Sequence, residues 1–408
     1  MPVVLIGTFD TKGTEFQFVR DLLHALGVAT IAIDAGVREP VGIVPDVTSD
    51  ALYAAGGTSL AQVRGANDRG AAVEAAARGA ANLAASLHRE GRIDGILGLG
   101  GSAGTTIGSA AMRALPFGVP KLMVSTLASG QVRPYVGVRD ILMMHSVVDI
   151  SGLNRISRTV LENAARAMAG MVAGRSSHDR ALSSARLIAA TMFGVTTPCV
   201  DAARRALEGA GCEVLVFHAT GSGGLTMESF IADGLIHGVL DITTTELADE
   251  LVGGILSAGP ERLTAAGRRG VPQVISTGAL DMVNFGPRDT VPPRFEGRRF
   301  YQHNANVTLM RTTPEENAQL GREIAHKARA ATGPTAILLP LRGVSAIDRE
   351  GQPFWWPEAD AALFDGIRRN VPPSVRLIEL DRHINDPEFA AAAVSGLQAL
   401  MGARSQDV

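Results

Sequence analysis

Short apolar runs alternate with amphipathic stretches along most of this chain. Val3 to Gly7 reads as a strand and Thr8 to Gly13 as a loop. Thr14 to Leu26 reads as a helix that turns Phe16, Val19, Leu22, Leu23 and Leu26 to one side before Gly27 closes it. Val28 to Ile33 is the next strand, ending at Asp34-Ala35-Gly36, and this strand, helix, strand order predicts a parallel sheet. An Ala-rich helix follows from about Ala71 to Arg89, then a strand from Ile93 and a helix to about Ala114. Apolar runs at Val119 to Val124 and Ile141 to Met144 precede a helix from about Arg155 to Ala173.

The pattern then restarts. Arg186 to Met192 reads as a strand, the next helix runs to Leu207 and closes at Gly209-Ala210-Gly211, and Glu213 to His218 is a second strand. Gly118-Val119-Pro120-Lys121-Leu122-Met123-Val124-Ser125-Thr126 is echoed by Gly270-Val271-Pro272-Gln273-Val274-Ile275-Ser276-Thr277. The polar, non-periodic stretch Gly174 to Arg180 separates the halves. The expected fold class is therefore α/β: two Rossmann-like subdomains, 1–178 and 179–408, with mostly parallel sheets and a ligand cleft at the carboxyl ends of the strands.

Composition narrows the function classes. The 408 residues are 46% hydrophobic and 19% charged, enough for two cores, and 38 Lys and Arg against 41 Asp and Glu give a net charge of −3. No block of like charge stands out, so neither nucleic acid nor an anionic membrane is the expected partner. The chain enters a strand at Pro2-Val3 without a basic leader, and no apolar run reaches membrane-spanning length, so a cytoplasmic protein is expected. Cys199 and Cys212 flank a predicted helix and read as small apolar residues, with no metal site implied.

The candidate chemistry lies where predicted strands end. Gly100-Gly101-Ser102-Ala103-Gly104-Thr105 joins a strand to a helix, and the free amides of a first helical turn favour an anion. In the first loop, Lys12 suits phosphate, and Asp10 a ribose hydroxyl or a magnesium ion. Arg69 stands at a helix start, where a cation opposes the helix dipole and so hints at an anion in front of it. Ser125-Thr126-Leu127-Ala128-Ser129-Gly130 adds a third small, polar loop, with Ser125, Ser129 and Gly130 as candidate contacts. Gly98, Gly100 and Ala103 fit a dinucleotide fingerprint, but the next strand ends in Ser125-Thr126 rather than an acid; a Walker motif fails because Gly104 is followed by Thr-Thr. In the second half, Thr313, Pro314 and Glu316 form a helix-start signal, while His303, Asn304 and Arg311 are the candidate substrate-side or catalytic residues. Asn284 to Arg299, with three prolines, reads as a lid or dimer arm.

Taken together, Ile6-Gly7-Thr8-Phe9-Asp10-Thr11-Lys12, Gly98 to Thr105, Ser125 to Gly130, Val147 to Ile150 and Leu309 to Glu316 resemble an uncharacterised bacterial family. Its plant relative is the N-terminal, ATP-binding domain of the tomato mosaic virus resistance protein. The resemblance spans nearly the whole chain. It implies a homodimer with ATP in the first subdomain, with or without Mg2+, contacted by Asp10, Thr11, Lys12, Val37, Arg69 and the loop Gly101, Ser102, Ala103, Gly104; Thr105 continues that loop. The family usually carries glycine where Ala103 stands, and alanine suits a helical backbone but not positive φ. It also implies a separate companion protein resembling phosphoenolpyruvate hydrolases. The function expected is an ATP-binding protein, as an enzyme on a small carboxylated or sugar-derived metabolite, with a nucleotide-sensing module or a sugar-phosphate isomerase or lyase as the other readings. No nucleophile and base pair is legible.

Overall fold

The computed structural model describes residues 2–173 and 185–403, which fall into two compact units, one on each side of the gap. The polar stretch expected to divide the chain, including position 178, lies outside the described residues.

The first unit is a five-stranded sheet. Its strands are β1 (Val3–Gly7), β2 (Thr30–Asp34), β3 (Gly95–Gly100), β4 (Lys121–Ser125) and β5 (Leu142–His145), all parallel, in the order β2-β1-β3-β4-β5. The helices are α1 (Phe9–Ala25), α2 (Ser49–Ala55), α3 (Leu60–Ala66), α4 (Arg69–Arg89), α5 (Ser102–Arg113), α6 (Arg133–Val136) and α7 (Arg155–Ala173). β1, β3 and β4 are buried at every residue, as parallel strands covered on both faces must be. Alternate residues divide between two cores. Val4, Ile6 and Ile96 face Tyr53, Ala76, Ala80 and Ile107, while Val3, Leu5 and Leu97 face Phe16, Val19, Leu161 and Ala165.

Because β1 lies between β2 and β3, the chain leaves it in opposite directions, and the carboxyl ends of β1 and β3 flank a switch point. Open α/β sheets bind ligands at such points.

The second unit repeats the winding with one more strand. β6 (Leu187–Met192), β7 (Glu213–His218), β8 (Gly238–Thr243), β9 (Gln273–Gly278), β13 (Thr335–Pro340) and β14 (Arg376–Leu380) are parallel in the order β14-β13-β9-β8-β6-β7. Here too the first strand sits between the second and third, so the echo in the sequence is a shared topology. The remaining strands, β10 (Met282–Phe285), β11 (Phe300–Asn304) and β12 (Val307–Arg311), make a small antiparallel sheet. The helices are α8 (Thr197–Gly209), α9 (Ser222–Ala232), α10 (Glu246–Val252), α11 (Ala265–Arg269), α12 (Pro314–Arg329), α13 (Pro357–Arg368) and α14 (Pro387–Ala403). Thr313 caps α12 in a capping box with Glu316, and Pro314 opens the helix, as its sequence predicts.

The segment expected to be a lid or arm is anchored in the core at a few residues, while Arg288, Asp289, Thr290 and Glu296 along it are exposed. Asn284 and Phe285 belong to β10, and Val291 and Phe295 are buried in the core, with the rings of Phe285 and Phe295 5.4 Å apart. Among the described residues no helix is long and apolar enough to cross a membrane.

Candidate functional site

The first unit carries a cavity of about 650 Å3 at the carboxyl ends of β1, β2 and β3, on the switch point. Thr8, Asp10 and Thr11 line it from the start of α1, Ala35 and Val37 from the turn after β2, Arg69 from the start of α4, and Ala103 from the first turn of α5.

The expected loop Thr8 to Gly13 is helical from Phe9 onward, with one interruption at Lys12, whose φ is −133°. The cause is distant in sequence. Thr8 supplies no side-chain cap, and the Asp34 carboxylate at the end of β2 accepts the Phe9 N–H at 3.0 Å and the Gly36 N–H at 2.8 Å. Burial pushes the Asp34 carboxyl above its ordinary value, opposed by these two amides. Asp10, one helical position on, accepts the N–H groups of Val37 and Arg38, each at 3.2 Å, with the Arg38 guanidinium 3.6 Å away. Two carboxylates therefore fix the turn 35–38 against α1. Gly36 fits between them: a Cβ there would stand 2.8 Å from the Asp10 carboxyl carbon and 3.1 Å from Asp34 Oδ1.

Arg69 is the cation left over. Asp68 caps α4 by accepting from Gly70 and Ala71, Arg38 leans on Asp10, and Arg64 donates to Val37 O and approaches Glu39. Arg69 is exposed, lines the cavity, and has no ion pair or hydrogen bond from its side chain among the described residues. Tyr53 closes the inner wall with its hydroxyl 3.5 Å from Ala35 O. Burial, reinforced by Asp10 and Asp34, pushes that phenol up to about 12, so it stays protonated.

The start of α5 explains its glycines separately. A Cβ on Gly100 would lie 2.7 Å from Gly104 Cα, and one on Gly104 would lie 3.0 Å from Leu99 O, so both serve the close approach of β3 to α5. Gly101 is different. It is the N-cap, gives no side-chain acceptor, has φ −81°, and would bring a Cβ no nearer than 3.6 Å to another residue. The first amides of this 12-residue helix are thus left without a side-chain cap beside the cavity. Ala103 sits in ordinary helical backbone, which removes the demand for glycine there.

Of the residues expected to contact nucleotide, Asp10, Thr11, Val37, Arg69 and Ala103 line this cavity. Lys12 does not: its ammonium donates to Ile150 O, because the kink turns it toward the segment after β5. Gly101, Ser102 and Gly104 flank the cavity wall without lining it. Thr105 and Ser125 are buried and bonded to each other at 2.7 Å, tying α5 to β4, while Ser129 and Gly130 are exposed outside the cavity. Thr8, from the same first loop, lines it too; Arg38, Tyr53 and Arg64 also line it and had no local signal in the sequence.

The three substrate-side candidates of the second half do not converge. His303 and Asn304 are exposed at the tip of the β11–β12 hairpin. Arg311 is buried at the other end of β12. It donates to Phe354 O at 2.7 Å, Asp360 at 2.6 Å and Asp348 at 3.3 Å. Four intervening strand steps, about 3.4 Å each, separate Val307, opposite Asn304, from Arg311. Among the described residues no group of three or more His, Cys, Asp or Glu side chains could hold a metal ion. Cys199 is buried, which pushes its thiol up to about 12, and Cys212 is half-buried; both are free, as small apolar residues would be.

Two family models together match most of the chain. Residues 1–177 match the N-terminal domain, and residues 185–401 the C-terminal domain, of the uncharacterised protein family UPF0261. A UPF0261 protein of Clostridium tetani is 50% identical over 400 residues, covering 98% of each chain. One from Rhizobium meliloti is 49% identical, covering 96% of this chain and 97% of its own. The ToMV resistance protein Tm-1(GCR237) of Solanum lycopersicum is 41% identical over 414 residues, covering 96% of this chain and 55% of the tomato protein.

Proposed function

The chain belongs to the uncharacterised protein family UPF0261, and starting from that membership we propose that its first unit is an ATP-binding module. The observation that carries this reading is that Arg69, without an ion pair among the described residues, and Ala103, in the first turn of the uncapped helix α5, line one cavity at the switch point of a parallel sheet. At about 650 Å3 the cavity falls within the roughly 300–1,000 Å3 of small-molecule sites. Arg69 and the α5 amides would meet phosphate oxygens, and the turn 35–38, held by Asp10 and Asp34, would shape the nucleoside end. Mg2+ would have to reach the phosphates largely through water, since Asp10 is already engaged with backbone amides.

In this reading the protein works in the cytoplasm as a homodimer, using ATP on a small carboxylated or sugar-derived metabolite, with a companion resembling phosphoenolpyruvate hydrolases as a separate chain. A second reading, nucleotide sensing without chemistry, is favoured by one feature. The cavity offers donors and cations, but its two lining carboxylates, Asp10 and Asp68, are both occupied accepting backbone amides rather than free to act as a base.

Calorimetry of the full chain with ATP, ADP, NAD and sugar phosphates tests the ligand class: ATP is expected to bind, and tight NAD binding with none for ATP defeats the reading. Phosphate release in the presence of a panel of hydroxy acids then separates enzyme from sensor.

A further inference from the structure

A second pocket lies wholly within the second unit, at the carboxyl ends of β13 and β14, and measures about 600 Å3. It joins segments far apart in sequence: Arg342 after β13, Trp355 just before α13, and His383 after β14. Strand carboxyl ends are where sheets of this kind take ligands. The pocket is independent of the nucleotide reading, since every residue lining it belongs to the second unit.

Its inner wall includes Asp360, in the first turn of α13. The side chain is nine-tenths buried. One oxygen accepts from Arg311 at 2.6 Å; the other has no hydrogen-bond partner among the described residues. Arg311 is shared, because Asp348 accepts from it at 3.3 Å and Asp281 lies near enough to feel its charge. Three carboxyl groups thus crowd one guanidinium. Burial, with Asp348 adding to it, pushes Asp360 up to about 8, so at neutral pH the unbonded oxygen is the natural place for a proton. An acid O–H with nothing to donate to, on the wall of a cavity, is a ligand contact in waiting.

The rim supplies charge. Arg342 and Arg368 are each held by acids in short contacts, Arg342 by Asp381 at 2.6 and 2.8 Å and Arg368 by Asp365 at 2.7 Å and by Glu379. Arg349 is held loosely, 3.7 Å from Asp386 with no side-chain hydrogen bond among the described residues, so its fork of donors is available. His383 adds no charge: its Nδ1 accepts from the Asn385 N–H, its Nε2 faces Ser345 O, and burial lowers its pKa. Trp355, 43% exposed, offers an indole surface, and Arg299 fixes its backbone by donating to Trp355 O at 3.2 Å.

We propose that this pocket binds a small hydroxylated carboxylic acid: its carboxylate is met by Arg349, a hydroxyl or carbonyl oxygen by Asp360, and its carbon skeleton packs on Trp355. The chain contains two tryptophans, Trp355 and Trp356, so indole emission reports on this region alone. The full chain is titrated with sodium gluconate, glucuronate and malate, with sorbitol and sodium sulfate as controls, while indole emission is followed. At least one acid is expected to give a saturable change that neither control gives, and R349A is expected to weaken it about tenfold, as the loss of a charge-assisted contact does. D360A, which removes the donor, is expected to weaken it as well. If D360A does not fold, R349A decides, because Arg349 is half exposed and its loss leaves the Arg311 cluster intact. Absence of saturable change with every acid, or a saturable change that R349A leaves unaltered, overturns the assignment.

Discussion

The Asp34 carboxylate, at the end of β2, accepts the backbone N–H of Phe9, the first residue of α1, at 3.0 Å. The same oxygen accepts from Gly36, so one side chain sets both the start of α1 and the turn that walls the first cavity. D34A is expected to leave two amides without their acceptor and to lower stability by about 1–3 kcal/mol. D34N keeps an acceptor in place and is expected to lie within about 1 kcal/mol of the wild type. Urea unfolding of the three proteins checks the order; equal losses for both variants would mean that charge, rather than geometry, is what the helix start requires.

Arg69 gives the cleanest test of the nucleotide reading. It is exposed and its side chain makes no ion pair or hydrogen bond among the described residues, so R69A should not lower the thermal midpoint. ATP affinity should fall by about tenfold, the worth of a charge-assisted contact of roughly 1.4 kcal/mol. Calorimetry separates the two readouts, and an unchanged affinity removes Arg69 from the site.

The glycines of the β3–α5 turn should separate packing from binding. G100A forces a methyl to within 2.7 Å of Gly104 Cα, where backbone cannot give way, and should destabilise by about 1–3 kcal/mol. G101A meets nothing closer than 3.6 Å and should cost less than about 1 kcal/mol, as the loss of a glycine N-cap. ATP affinity should nevertheless fall in G101A if a phosphate approaches the α5 amides. A G101A protein that binds ATP normally would move the phosphates away from this helix.

Much of this fold was legible because period and punctuation agree. β3, α5, β4 and α7 stand where apolar runs, glycines and helical spacing place them, and the echo between the Gly118 and Gly270 segments corresponds to one winding used twice. Arg69 was visible because a cation at a helix start opposes the dipole. What the sequence concealed were relations over distance. α1 starts at Phe9 only because of a carboxylate 25 residues away, and Lys12 turns from the cavity to a carbonyl 138 residues away. α2 and α3 are short helices in a polar stretch without strong apolar spacing. Arg311 carries the same side chain as a substrate-binding arginine would; its burial between Asp348 and Asp360 becomes visible only once α13 is packed against β12.

The second unit should lose stability as pH rises from about 4 to about 8. Burial is the largest cause of raised values at Asp249 and Asp281, both pushed up to about 7, and at Asp360, pushed up to about 8. In the unfolded chain these groups titrate near 3.8, so between the two values the folded state binds more protons than the unfolded one. Stability therefore falls with rising pH across this window, with a slope of about 1.4 kcal/mol per pH unit for each proton held by the fold alone. The slope ends near pH 8, where Asp360 ionises beside Arg311. Thermal melts followed through the tryptophans, both in this unit, should show a midpoint that declines from pH 5 to pH 8; a midpoint that does not decline over that range would mean the three carboxyls are already ionised in the fold.

The contact of Lys12 favours treating α1 as a strut rather than a phosphate loop. Its ammonium donates to Ile150 O, and three residues on Glu15 accepts the Gly152 N–H at 2.6 Å, so successive turns of α1 grip the segment that follows β5. That segment contains Val147 at φ +66°, a strained position for a β-branched residue, which must be held by contacts outside itself. K12M keeps the length of the side chain and removes the donor, leaving Ile150 O without this partner. It should therefore cost about 1 kcal/mol of stability, the net worth of one such hydrogen bond, and loosen the segment around Val147. Hydrogen exchange at Val148 and Ile150 should accelerate, while ATP affinity stays within about twofold, a change under roughly 0.5 kcal/mol. Phosphate contact by Lys12 predicts the opposite pattern, a large loss of affinity in a protein of unaltered stability, so one variant measured both ways decides between strut and ligand.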